Sequence, residues 1–253
     1  IPLPAVADGF GISNEDIQYS SNPSHNWWSM NDPLLSDQGT MGSGTLNLNG
    51  NTNWINQGNI YGGVELGGMP GDNINSSNCK THVTTTNFGN GFAGWFKPSS
   101  LDGQLFSRTI ERIDNYGGFD GFNVSITEDG WLQTKMYWAA QNESDTEFDY
   151  TFNSTRGMDT PIQLDEWNYI TVSYYRSSWN MYVQVYVNNG TSSDGSTNIP
   201  ISFSSAIPQS SSMLTWGGSE CIFGDGFDGT MDELRMFGNI NPYSGDRAMS
   251  GWQ

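Results

Sequence analysis

Residues 224–238 read GDGFDGTMDELRMFG, and the fold turns on how this stretch is taken. In an extended strand alternate side chains share a face, so Asp232, Leu234 and Met236 are expected on one side and Glu233 and Arg235 on the other. The Asp-Gly pairs at 225–226 and 228–229 supply turn chemistry ahead of the strand. That parity aims the Asp232 carboxylate at the apolar face. An unpaired buried carboxylate costs several kcal/mol and calls for a metal ion, a basic partner or several N–H donors.

The same two-residue period runs outward through the chain. YITVSYY (169–175) sets Ile170, Val172 and Tyr174 on one side, and MYVQVYV (181–187) does so with Met181, Val183, Val185 and Val187. WLQTKMYWA (131–139) alternates Leu132, Thr134, Met136 and Trp138 against Trp131, Gln133, Lys135 and Tyr137. Gly, Asn, Asp and Ser clusters separate these runs, as hairpins and long loops require. GTLNLNG, WINQGNI and GGVELGG read as short strands in the quieter first third, and a short helix is expected near 244–249. Evenly spaced strands without βαβ alternation predict an all-β, antiparallel two-sheet jelly-roll β-sandwich. No Pro- or Ser-rich linker divides the chain, so residues 1–253 read as one domain with about residues 1–30 as an extended arm.

The bulk numbers narrow the partners. With 27 acidic against 9 basic residues the net charge is −18, which repels nucleic acid and anionic membrane and favours cations, neutral sugars or basic partners. No run of 18 apolar residues offers a transmembrane helix. An opening at Ile1 fits a mature secreted form and a trimmed chain equally. Cys79 and Cys221 are the whole thiol inventory; outside the cell they would most simply pair, adding about 4–5 kcal/mol on the chain-entropy view, the alternative being two separate buried thiols. Five glycosylation sequons, at Asn75, Asn123, Asn142, Asn153 and Asn189, lie in polar or outward-facing contexts.

The succession FGNGFAGWFKPSS (88–100), GQLFSR (103–108), GFNVSITEDGWL (121–132), LDEWNYITVSYY (164–175), MYVQVYVNNG (181–190), LTWGGS (214–219) and FDGTMDELRMFG (227–238) resembles laminin G-like domains of the concanavalin A-like jelly-roll superfamily, relatives of pentraxins. The resemblance spans about residues 30–250. It implies a two-sheet jelly roll, and members that bind glycans or proteins, build extracellular scaffolds or accompany secreted enzymes. It also implies a structural Ca²⁺ between the strand MDELRMF and a segment near the chain start. Asp232 matches the family aspartate, with Asp32 in MNDP as its expected partner and Asp37 behind it. Backbone hydrogen bonds to Asp232 without a metal are the other reading.

Two regions read as ligand surfaces. With the aliphatic sets inward, Trp131 and Tyr137, then Tyr169 and Tyr175, then Tyr182 and Tyr186 face outward among Gln, Thr and Ser, the pairing of flat C–H faces with fixed donors that sugars use. Trp27, Trp28, Trp54 and Trp179 sit in turn-like contexts and read as exposed anchors for a glycan or a neighbouring copy, whereas Trp95, Trp167 and Trp216 match core or rim positions of the family. Aromatic strand residues also stabilise sheets by cross-strand pairing alone.

Chemistry has little to work with. The E-x-D-x-x-E strand pattern of related β-glucanases is absent, and the paired acids Glu15/Asp16 and Glu147/Asp149 do not form it. His25 and His82 lie in no H-E-x-x-H, and no G-x-S-x-G elbow occurs. A Tyr137, Lys135 and Arg176 set is what a lyase of this fold would have to assemble. The expectation is a secreted, non-catalytic extracellular module of adhesion or assembly that binds glycans, matrix or copies of itself, without nucleic acid or membrane insertion. A calcium-dependent lectin and a polysaccharide hydrolase or lyase are the alternatives.

Overall fold

In the computed structural model, which describes residues 24–36, 44–76, 81–83, 89–111, 119–138, 148–153, 161–177, 180–187, 197–200, 214–216 and 220–238, the alternating segments form strands and no helix. They are β1 (Ser24–Trp28), β2 (Asn47–Asn49), β3 (Thr52–Ile55), β4 (Gly63–Gly67), β5 (Asn73–Ser76), β6 (Thr81–Val83), β7 (Gly89–Pro98), β8 (Gly103–Glu111) and β9 (Phe119–Ile126). After these come β10 (Leu132–Trp138), β11 (Phe148–Asn153), β12 (Asn168–Ser177), β13 (Asn180–Val187), β14 (Thr197–Pro200), β15 (Leu214–Trp216), β16 (Glu220–Phe223) and β17 (Asp228–Gly238).

An eight-stranded sheet runs β14-β13-β12-β7-β17-β4-β3, with β1 also on β17. A seven-stranded sheet runs β11-β10-β9-β8-β16-β5-β2, and β15 pairs with β6 apart from both. The described pairings are antiparallel, the jelly-roll sandwich that the periodicity predicts. Phe92 and Phe96 of β7 and Ile170 and Val172 of β12 meet Phe106, Val124, Leu132 and Phe223 of the other sheet in one buried cluster. Phe92 stacks on Phe106 across the interface, ring centroids 5.0 Å apart. Burying such a side chain contributes about 1.5–3 kcal/mol, so these inward rows hold the layers together.

Two expectations need correction. Residues 24–30 are not an extended arm. β1 pairs with Leu234–Gly238, and Trp28 is fully buried against Phe223 with ring centroids 5.8 Å apart. Trp28 is therefore core and not an exposed anchor; a strand that inserts an indole between the sheets removes more apolar surface than a loose arm can. The expected helix near 244–249 lies outside the described residues.

The second correction concerns β17. Met231, Leu234 and Met236 all belong to the core, so the inward parity changes between Met231 and Leu234. A β-bulge absorbs the change: Asp232 pairs with Trp95 and Arg235 with Ala93, leaving Glu233 and Leu234 opposite Gly94 alone. A Cβ on Gly94 would stand 2.8 Å from Leu234 Cδ2, so the glycine makes room for the extra residue. Glu233 sits at φ 53°, the left-handed backbone a bulge of this kind demands. Asp232 therefore does not share the face of Leu234 and Met236, as strict alternation predicts.

Candidate functional site

The bulge falls where β17 changes neighbours. On the edge away from β7, β4 pairs with Asp228–Met231 and β1 with Leu234–Gly238. Asp232 and Glu233 occupy the gap, both buried. The loop between β3 and β4 closes over Asp232: Ile60 N donates to its Oδ2 at 2.9 Å and Glu233 N to its Oδ1 at 2.7 Å. Burial, opposed by the Ile60 N–H and reinforced by the neighbouring Glu233 charge, raises the Asp232 pKa from 3.8 to about 7. The Ile60 and Glu233 N–H donors thus stabilise the carboxylate without cancelling its desolvation.

The loop is built to bring oxygens near that carboxylate. A Cβ on Gly58 would stand 1.7 Å from Gly62 O and 2.8 Å from Asp232 Oδ2, and one on Gly62 would stand 2.2 Å from Met30 O. The Asp232 carboxylate and the Gly62 carbonyl therefore meet at Gly58, with the Met30 carbonyl against Gly62, in a corner that glycines leave open. Trp54 Nε1 donates to Met30 O at 2.9 Å and fixes its direction, while Met30 itself is held at φ 55°. This donor set fits a hard cation: Ca²⁺ takes carboxylate and carbonyl oxygens, and Asp232, Gly62 O and Met30 O would hold it. Among the described residues no three His, Cys, Asp or Glu side chains converge on a metal position, so carbonyls would carry most of the coordination. Asp32 is exposed and its Oδ1 accepts from Leu34 N at 2.8 Å, capping its own turn. The 58–62 loop contacts Asp232 through Ile60 N, and Asp37, the second expected partner, lies outside the described residues.

Beside the corner, Trp27 Nε1 donates to Glu233 Oε2 at 2.6 Å, Arg235 Nη2 pairs with the same oxygen at 3.2 Å, and the Arg235 guanidinium lies 4.9 Å from the Trp27 ring centre. Glu233 Oε1 is buried with no hydrogen-bond partner. Burial raises the Glu233 pKa against the pull of Arg235. Sequence reasoning missed both Glu233 and the Gly58–Gly62 loop. The side-chain-poor run NQGNIYGG was the signal for a backbone cradle.

The expected aromatic surface divides between two faces. β10, with Tyr137, belongs to the seven-stranded sheet, whereas β12 and β13, with Tyr175, Tyr182 and Tyr186, belong to the eight-stranded sheet. Outward faces of stacked sheets look in opposite directions, so these strands do not share one outer surface. Strand periodicity fixes a face within a sheet and says nothing about which sheet a strand joins. Of the four tyrosines the backbone register is described: Tyr175 pairs with Tyr182 and Thr171 with Tyr186, while Tyr137 lies between Gly121 and Asp149. Trp131 precedes β10 and is half-buried against the core, as is Trp54 in β3. Trp179 lies outside the described residues. Trp95 is half-buried and packs on Tyr169 with ring centroids 5.0 Å apart.

Among the sequons, Asn75 Nδ2 donates to Glu220 Oε1 at 2.9 Å, and Asn123 Nδ2 donates to Gln104 Oε1. Asn153 ends β11, and Asn142 and Asn189 lie outside the described residues. Cys221 is fully buried with its sulfur 3.2 Å from Met236 Sδ, and Cys79 lies outside the described residues.

Residues 67–240 match the family model described as the concanavalin A-like lectin/glucanases superfamily. A search of curated protein sequences finds no relative. Among solved structures the chain is similar to the binding domain of botulinum neurotoxin serotype G, with 14% identity and TM-score 0.49 over 88% of this chain and 49% of that one. It is similar also to the enzymatically active domain of bacteriophage CBA120 tailspike protein 2, with 11% identity and TM-score 0.48 over 96% of this chain and 32% of that one. A third is the CBM40 of a Ruminococcus gnavus sialidase bound to α2,3 sialyllactose, with 12% identity and TM-score 0.33 over 67% of this chain and 91% of that one. The chain thus spans half or less of the first two.

Proposed function

The chain belongs to the concanavalin A-like lectin/glucanases superfamily, and from that premise we propose that it is a non-catalytic recognition module that binds glycans outside the cell, with a Ca²⁺ bracing the Asp232 corner. One observation carries the choice of binding over hydrolysis. The two buried carboxylates on β17 are committed to structure, Asp232 to backbone N–H groups and Glu233 to Trp27 and Arg235. Outward strand positions of the seven-stranded sheet present amides and hydroxyls instead, at Asn47, Asn75, Ser107, Asn123 and Gln133. Glycosidases need two carboxylates across the scissile bond, whereas fixed neutral donors and acceptors suit recognition of sugar hydroxyls. When bound, Ca²⁺ would supply opposite charge to Asp232 and lock the 58–62 loop against β17.

The test is a panel of neutral and anionic polysaccharides, scored for retention of the chain in affinity electrophoresis and for new reducing ends and unsaturated sugars. Retention without turnover is the expected result. Robust turnover of any bound polysaccharide overturns the reading.

A further inference from the structure

We propose that the outer face of the seven-stranded sheet is the binding surface and that its ligand is an extended, uncharged polysaccharide lying across the strands; this rests on the glycan-binding reading above. Asn47 pairs with Asn75, Asn75 with Ile222, Ile222 with Ser107, Ser107 with Asn123 and Asn123 with Lys135, one continuous row across six strands. At about 4.8 Å per strand the row is about 24 Å long, the span of a short oligosaccharide.

Its side chains are held in place by one another. Asn47 Nδ2 donates to Asn75 Oδ1 at 3.2 Å, Asn75 Nδ2 to Glu220 Oε1 at 2.9 Å, and Asn123 Nδ2 to Gln104 Oε1. In the adjacent position Asn49 Nδ2 donates to Asn73 Oδ1 at 2.8 Å. A primary amide has two N–H groups and a two-lone-pair oxygen, so after these bonds Asn75 keeps one N–H and one lone pair for a ligand. Amides already fixed by their neighbours lose little rotamer freedom on binding.

The chemistry chooses the occupant. A protein partner wants aromatic, Met or Arg anchors at the centre of the patch, and the row offers only half-buried Ile222 there. Among the described side chains its charges are the exposed Lys135 at one end and, beside Asn75, the exposed Glu220, which offset one another. Neutral hydroxyls match the amide row, exposed at Asn47 and half-buried at Asn75 and Asn123. The same reading makes Asn75 and Asn123 ligand contacts, so both sequons are left unmodified.

The experiment uses the full chain with the soluble neutral polysaccharides of the panel, alginate as the anionic probe, and calorimetric affinities. Asn47→Ala, Lys135→Gln and the pair together are compared with Glu65→Gln, an exposed change on the eight-stranded sheet. Asn47 and Lys135 are exposed, so the variants fold, which unchanged melting temperatures verify. The expected result is binding of a neutral polysaccharide that falls about tenfold in the double variant, two hydrogen bonds' worth, with Glu65→Gln unchanged. If the wild-type chain binds and the double variant binds equally, the face is wrong while glycan recognition stands. If the wild-type chain binds none of the polysaccharides, both fall. Preference for alginate, or glycopeptides carrying sugar on Asn75 or Asn123 in secreted protein, also overturns the assignment.

Discussion

Asp232 links acidity, calcium and stability in a way that can be measured. Its folded pKa of about 7 lies above the ordinary 3.8, chiefly through burial. The folded chain therefore holds an extra proton between those values, so this group's contribution to stability is full below about pH 4 and is lost as pH rises through about 7. A gap of about 3 pH units corresponds to roughly 4 kcal/mol, and somewhat more than half of that falls between pH 5 and pH 8. Glu233, raised in the same direction, adds to the same slope. Since whole domains are stable by only about 5–15 kcal/mol, the effect is large. Bound Ca²⁺ favours the ionised carboxylate and removes the slope. Urea denaturation at pH 5 to 8, in chelator and in millimolar Ca²⁺, is the assay. In chelator the wild-type chain loses stability relative to Asp232→Asn as pH rises; in Ca²⁺ that difference disappears, and the variant keeps only the slope of Glu233 and does not respond to Ca²⁺. A chelated wild-type chain that gains stability on the variant between pH 5 and 8 refutes the linkage. Superimposed chelator and Ca²⁺ curves at pH 8 refute the metal.

Three further outcomes follow from single contacts. Gly58→Ala places a Cβ 1.7 Å from the Gly62 carbonyl oxygen; backbone cannot yield that far, and a loss of about 3 kcal/mol together with a weakened Ca²⁺ response is expected in the same urea series. Trp27→Phe keeps a ring beneath Arg235 but removes the N–H that Glu233 Oε2 accepts, leaving the buried carboxylate short of donors at about 1–3 kcal/mol, read as a lowered urea midpoint. If Cys79 and Cys221 pair, thiol titration of the unfolded, unreduced chain gives no free sulfhydryl, and reduction lowers stability by about 4–5 kcal/mol; two titratable thiols would defeat the pairing.

How far the sequence speaks depends on the range of the physics involved. The sandwich was legible because period-2 burial is local: Ile170 and Val172, or Leu132 and Thr134, turn inward where alternation places them. The seven ordered segments carried the family for the same reason. The bulge left only a trace in the sequence, since Met231 and Leu234 stand three residues apart around the pair Asp232-Glu233, and it takes the pairing of Arg235 with Ala93 and the room left by Gly94 to show that Glu233 is the extra residue. Asp232 was flagged correctly as an anomaly for a reason that then changed: it is buried by the 58–62 loop outside the inward row, and a loop some 170 residues earlier is invisible to any local pattern. The ligand face failed similarly. Each strand's outward residues were read within that strand, but joining β10 to β12 and β13 required knowing which sheet each enters, and that is fixed by non-local pairings such as β8 with β16 and β7 with β17. The amide row shows the converse. Its members come from strands spread between residues 47 and 222, each unremarkable alone, and only register makes a surface of them. In a fold whose contacts are mostly distant in sequence, local patterns name the layers, and the pairing between strands makes the sites.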